Sequence, residues 1–148
     1  MYKFILFAFI ALLTACNQDS KNTFTTNDAW VREAPPNASM MAGYVTLKNN
    51  TDQDSFITYV KSKQFNMVEV HRTIVVDGVA KMRRQDDLPI PAGSSLKLEP
   101  GSYHLMLMGP KSALKLNDEI TVTLGMKLGD KIEDIDIVMP IKKQLTKN

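Results

Sequence analysis

Two histidines and two methionines define the chemistry open to this chain. His71, Met82, His104 and Met106 read His-x10-Met-x21-His-x-Met, and these two histidines are the only ones in 148 residues. Neutral imidazole nitrogen and thioether sulfur form a soft donor set that favours Cu(I) above all. The set holds no thiolate and no carboxylate, so it suits structural zinc, calcium and magnesium poorly. The same residue types also have a plainer use, since methionine fills irregular core space and a strand histidine often serves as a hydrogen-bonded polar residue.

Strand geometry brings the four residues together. Asp77-Gly78 lies between Thr73-Ile-Val-Val76 and Val79-Ala-Lys-Met82, which predicts a hairpin with a two-residue turn. If Val76 pairs with Val79, Thr73 faces Met82. His71 then shares a sheet face with Met82 as a diagonal neighbour, about 7 Å away at Cβ. In Tyr103-His-Leu-Met-Leu-Met108, alternation puts His104, Met106 and Met108 on one face and Leu105 and Leu107 on the other. Each strand unit offers one imidazole and one thioether, and together they make four ligands.

The elements that must hold them read as strands. Candidate strands are Ala29–Glu33, Gly43–Lys48, Phe56–Ser62, Met67–Val76, Val79–Arg84, Ser95–Leu98, His104–Met108, Ile120–Lys127 and Ile132–Val138. Turn formers separate them, among them Pro35-Pro36, Asn49-Asn50, Pro89, Pro91-Ala-Gly93, Pro100-Gly101 and Gly129-Asp130. No long segment carries helical periodicity, so the spacing predicts an all-β sandwich or barrel. Ile120-Thr-Val-Thr-Leu124 and Ile132-Glu-Asp-Ile-Asp-Ile137 show the inward apolar and outward polar alternation of such a fold. No internal repeat and no low-complexity block interrupts the pattern.

The N-terminus bears on location. Met1-Tyr-Lys3 is positively charged, and Phe4 to Leu13 is an apolar run too short to span a bilayer as a helix. Leu13-Thr-Ala-Cys16 looks like a bacterial lipobox. It predicts cleavage before Cys16 and a diacylglycerol on its sulfur; an ordinary secretory signal with an incidental cysteine is the other reading. Residues 1–15 are thus the expected signal peptide, and residues 16–27 a lipidated cysteine with a polar tether. Its ten residues from Asn17 to Thr26 would span about 18 Å in the root-mean-square sense. The expected β domain covers residues 28–140, followed by a basic tail over 141–148. Cys16 is the only cysteine, so the mature domain lacks the thiolate that a blue-copper electron-transfer centre requires. The net charge of +2 makes no case for a nucleic-acid partner.

Other candidates are weaker. Met40-Met41 is read as loop packing, with an overhang of the copper site as the other reading, Met108 and Met126 as core filling, and Met67 as too far along its strand to ligate with His71. Glu69 shares a strand face with His71 and is suited to orienting its ring, or is simply an exposed acid. Asp86-Asp87 reads as a loop pair without a cleft for acid–base chemistry. No catalytic triad, phosphate loop or nucleotide fingerprint is present, so no enzymatic activity is expected.

The four-residue pattern and its surroundings resemble the periplasmic copper chaperone family (PCuAC-type). The resemblance rests on Ala29-Trp-Val-Arg-Glu-Ala-Pro-Pro36, Gly43-Tyr-Val-Thr-Leu-Lys-Asn49, Glu69-Val-His71, Met82-Arg83, Ile90-Pro-Ala-Gly93 and Pro100-Gly-Ser-Tyr-His-Leu-Met-Leu-Met-Gly109. It covers about Asp28 to Pro140. It implies a cupredoxin-like, Greek-key β-sandwich or barrel that carries Cu(I) through His71, Met82, His104 and Met106. The implied acceptor is the copper centre of cytochrome c oxidase subunit II, reached from the periplasmic side of a bacterial membrane by a lipid-anchored protein. The tail Lys142-Lys-Gln-Leu-Thr-Lys-Asn148 lacks the His and Met found in many family members, so a second copper site there is not expected. Two other readings stand beside the chaperone: copper buffering or resistance without a dedicated acceptor, and a metal-free structural β-sandwich lipoprotein.

Overall fold

The computed structural model describes residues 22–143. The expected signal peptide, the lipidation at Cys16 and the end of the basic tail lie outside the described residues. Among the described residues ten strands make up the regular structure: β1 (Phe24–Arg32), β2 (Met40–Asn49), β3 (Ser55–Lys61), β4 (Phe65–Val76), β5 (Val79–Arg84), β6 (Leu88–Ile90), β7 (Ser95–Leu98), β8 (Tyr103–Pro110), β9 (Glu119–Leu128) and β10 (Lys131–Lys142).

Alternation drives the assembly. In β9, Ile120, Val122 and Leu124 are buried while Glu119 and Thr121 are exposed. In β8, Leu105 and Leu107 point into the core between less buried neighbours. A strand with one apolar face must cover that face, and each large side chain so buried contributes roughly 1.5–3 kcal/mol relative to exposure. The strands form one hydrogen-bonded order, β5-β4-β8-β7-β2-β1-β10-β9-β3-β6, with a further β8–β2 pairing. The two halves of this order meet at a short parallel contact, Val31 with Ile141 and Arg32 with Lys142. They fold over one shared core containing Val31, Leu47, Val68, Leu105 and Leu107 from one half and Ile57, Ile90, Leu124, Met126 and Met139 from the other. Gly43 marks how closely the halves approach. A Cβ there would lie 3.2 Å from Leu107 Cδ1 and 3.3 Å from Met139 Cε, so β2 and β8 pack directly against β10.

The all-β sandwich is as expected, with four local differences. Strand β1 begins at Phe24, inside the expected tether, because Phe24 is buried in the core. A bulge at Asp28, which has φ of 53°, divides this strand. Strand β2 begins at Met40, so Met40-Met41 is strand rather than loop, with Met41 in the core. The short strand β6 runs through Pro89, where a break is expected. It pairs with β3 at the edge of the order, where a residue without an N–H is tolerated, while Leu88 and Ile90 bury their side chains. Finally, Ile132 is exposed. The inward parity of β10 runs through Ile135, Ile137, Met139 and Ile141, which turns residue 132 outward.

Candidate metal centre

The hairpin that carries Met82 forms as its turn residues require. Asp77 and Gly78 both have positive φ, 51° and 76°, the combination of a type I′ turn whose twist matches the flanking strands. Pairing runs Val76 with Val79, Thr73 with Met82 and His71 with Arg84. His71 and Met82 are therefore diagonal neighbours on one face. The second pair follows from alternation in β8, where Leu105 and Leu107 turn into the core and His104 and Met106 turn out of it.

Tertiary structure then joins the pairs. Strands β4 and β8 are antiparallel neighbours, with His71 directly opposite His104 and Glu69 opposite Met106. The two imidazole centroids are 6.1 Å apart, with ring planes inclined at 46°. Rings bound to one ion through nitrogens at about 2 Å have centroids about 5–6 Å apart, depending on the bond angle. The observed separation lies just beyond the open end of that range. Met82, His104 and Met106 line one cavity of about 260 Å³ together with Arg32, Met40 and Ala42. Ala42 sits opposite Met106, and its small side chain leaves room beside the thioether. Met82 is 56% exposed, so the site opens at the surface along β5.

The hydrogen bonds assign the ring nitrogens. His71 Nε2 lies 2.8 Å from Glu69 Oε2. A carboxylate only accepts, so Nε2 carries the proton in this contact. His71 Nδ1 is left buried and without a hydrogen-bond partner. An unpaired buried polar atom costs about 1–3 kcal/mol, and a metal ion would satisfy this one. His104 Nδ1 donates to the Ser102 carbonyl at 3.1 Å, which leaves the lone pair on Nε2. Each ring thus has one nitrogen engaged by a hydrogen bond and the other turned away from it. Burial lowers the pKa of His104 below the ordinary histidine value, helped by the nearby charges of His71 and Arg32 and opposed by the Ser102 bond. Two other buried polar residues are satisfied: Asn49 donates to Gln53 and Ile90 carbonyls at 2.8 and 3.0 Å, and Ser55 donates to the Lys127 carbonyl at 2.9 Å.

Glu69 is the residue that sequence reasoning underweighted. Its carboxylate is largely covered and bridges His71 to Arg84 Nη1, the latter at 2.9 Å. The i, i+2 spacing to His71 was the available signal. Arg32 was missed altogether. Its Nε is buried without a partner and its guanidinium lies 5.2 Å from the Tyr44 ring centroid. Met126 is fully buried as core. Met108 is not in the core: it lies half-buried on the face opposite Leu107, beside Met40 and Met67. Asp86 bonds Arg84 Nε at 2.9 Å in a loop. Among the described residues no group of three or more His, Cys, Asp or Glu side chains is placed to hold a metal.

Comparison with known proteins agrees with this fold. The copper-bound PCuAC domain from PmoF2 superposes with a TM-score of 0.66 at 19% identity, over 82% of this chain and 94% of that one. The Cu(I)-bound solution structure of DR1885 from Deinococcus radiodurans gives 0.65 at 25% identity, over 88% and 85%. Its apo form gives 0.61 at 27% identity, over 98% and 95%. The fold is that of these cupredoxin-like PCuAC domains. Among curated sequences, one from Leifsonia xyli subsp. xyli, named as a putative lipoprotein, is 31% identical over 77% of this chain and 66% of its own length. An uncharacterized protein from Rickettsia prowazekii is 34% identical over 57% of this chain and 48% of its own. The chain thus spans under two-thirds of the length of either relative. Residues 24–137 match the family described as "Putative lipoprotein LpqE-like", and the chain belongs to that family.

Proposed function

We propose that this protein is an exported, lipid-anchored copper chaperone. It binds Cu(I) through His71, Met82, His104 and Met106 and has no catalytic turnover. The observation that carries the reading is the pair of facing imidazoles, each with one open nitrogen, beside a cavity whose lining includes the Met82 and Met106 thioethers. Imidazole with thioether selects a soft monovalent ion. The copper named in the PmoF2 and DR1885 structures supports this assignment. All four donors are neutral, so the site leaves the ion's charge uncompensated. With Met82 at the surface, ligands exchange one at a time and the cargo passes to an acceptor.

The acceptor in this reading is the copper centre of cytochrome c oxidase subunit II. The lipid on Cys16 holds the domain on the periplasmic side of a bacterial membrane. Lipoprotein naming in the family supports the anchor. The test has two steps. X-ray absorption on Cu(I)-loaded protein is expected to show mixed sulfur and nitrogen scattering from one tightly bound ion, preferred over Zn(II); a shell of only oxygen and nitrogen refutes the ligand set. Transfer to a purified subunit II domain then separates a chaperone from a buffer, which would hold copper without passing it on.

A further inference from the structure

The outward face that carries the copper centre holds a second line of sulfur. Met40 on β2 pairs with Met108 on β8, and Met108 pairs with Met67 on β4. Their neighbours Met41, Leu107 and Val68 are buried in the core, so all three methionines point the opposite way. Met40 and Met67 are each 50% exposed, and Met108 between them is half-buried. Directly opposed residues stand about 4.5–5.5 Å apart at Cβ, and each methionine has three rotatable bonds beyond its backbone. Three sulfurs in adjacent strands can therefore converge on one ion. The row is continuous with the first centre: Met106 lies two residues from Met108 on the same face, and Met40 lines the same cavity as Met82, His104 and Met106.

We propose that Met40, Met67 and Met108 form a second, all-thioether Cu(I) site. It takes up or releases copper beside the His/Met centre. Packing does not account for the row, because these side chains face away from the core and two of them are half in water. Three thioethers without a charged or imidazole donor make a soft, weak site. Weak binding next to a tighter centre is what a stepwise route needs, with Met106 and Met40 as the shared edge. This inference rests on the copper reading above.

The test uses the full chain in detergent micelles, labelled with 13C at the methionine methyl groups and titrated with Ag(I), a soft surrogate for Cu(I). The first equivalent is expected to move the Met82 and Met106 methyls, and the second those of Met40, Met67 and Met108. Met67→Leu conserves volume at a half-exposed position. It is expected to weaken the second equivalent at least tenfold and leave the first unchanged. The proposal is overturned if the row's methyls stay still at two equivalents, which would make it an apolar surface only. It is equally overturned if Met67→Leu binds the second ion as the wild type does. Movement of the row while Met82 and Met106 stay still supports this site and removes the His/Met centre instead. The same spectra therefore judge the two sites separately.

Discussion

Glu69→Gln isolates the group that sets the His71 tautomer. In the wild type one carboxylate oxygen accepts from His71 Nε2 at 2.8 Å and the other from Arg84 Nη1 at 2.9 Å. Glutamine has the same size but only one accepting oxygen. If that oxygen stays with Arg84, the amide N–H₂ faces His71. The ring then relaxes by moving its proton to Nδ1, the nitrogen that is buried without a partner and open for metal. Loss of such an orienting partner typically costs 10–100-fold in metal affinity, or about 1.4–2.8 kcal/mol. Stability is expected to change much less. Arg84 is 60% exposed, and exposed ion pairs contribute about 1 kcal/mol or less. The assay is Cu(I) competition against a chromophoric chelator, with 15N shifts of the imidazoles reporting the tautomers. Arg84→Ala is the control: Glu69 keeps its bond to His71, so affinity is expected to stay within about fivefold. Wild-type affinity in Glu69→Gln with Nε2 still protonated would refute the positioning role.

Met82→Ala is expected to weaken Cu(I) binding at least tenfold while shifting unfolding free energy by about 0.5 kcal/mol or less, because the side chain is 56% exposed; parallel competition and denaturant titrations check both. Gly78→Ala places a side chain where φ is 76°, a conformation that costs about 1–2 kcal/mol outside glycine. It is expected to loosen the β4–β5 hairpin and reduce copper affinity through Met82 without touching a ligand, as amide exchange in β5 would report. Lowering the pH sets protons against copper at both imidazoles. His104 has its pKa lowered by burial, so its own competition begins below the ordinary value of about 6.5. Linkage gives the sign for the apo fold: the unfolded chain binds the proton first, so the stability present above about pH 6.5 is lost as pH falls through the folded value. Copper affinity that stays flat from neutral to strongly acidic pH would refute histidine ligation.

Local rules carried much of this architecture. Period-two alternation in β8 and β9 specifies which side chains enter the core, and Asp77-Gly78 specifies the hairpin and its register, because both depend on bonds and sterics within a few residues. Each histidine could therefore be joined to its methionine from sequence alone. Strand β6 escaped because proline reads as a break unless the strand is known to be an edge, and edge position is a property of the whole sheet. The same holds for Phe24 and Met41, which look like tether and loop until the core they fill is known.

What the chain alone determined is the set of candidate donors and the face on which each lies: His71 with Met82, and His104 with Met106. The tertiary structure decided that β4 and β8 are neighbours, which sets His71 against His104 and joins the two halves of the proposed site. It also turned Met40, Met67 and Met108 into a row, although they come from three separate strands. The physical reason is range. Parity and turn type follow from local backbone geometry. Strand order follows from how ten half-apolar surfaces cover one another, and no window of sequence contains that information.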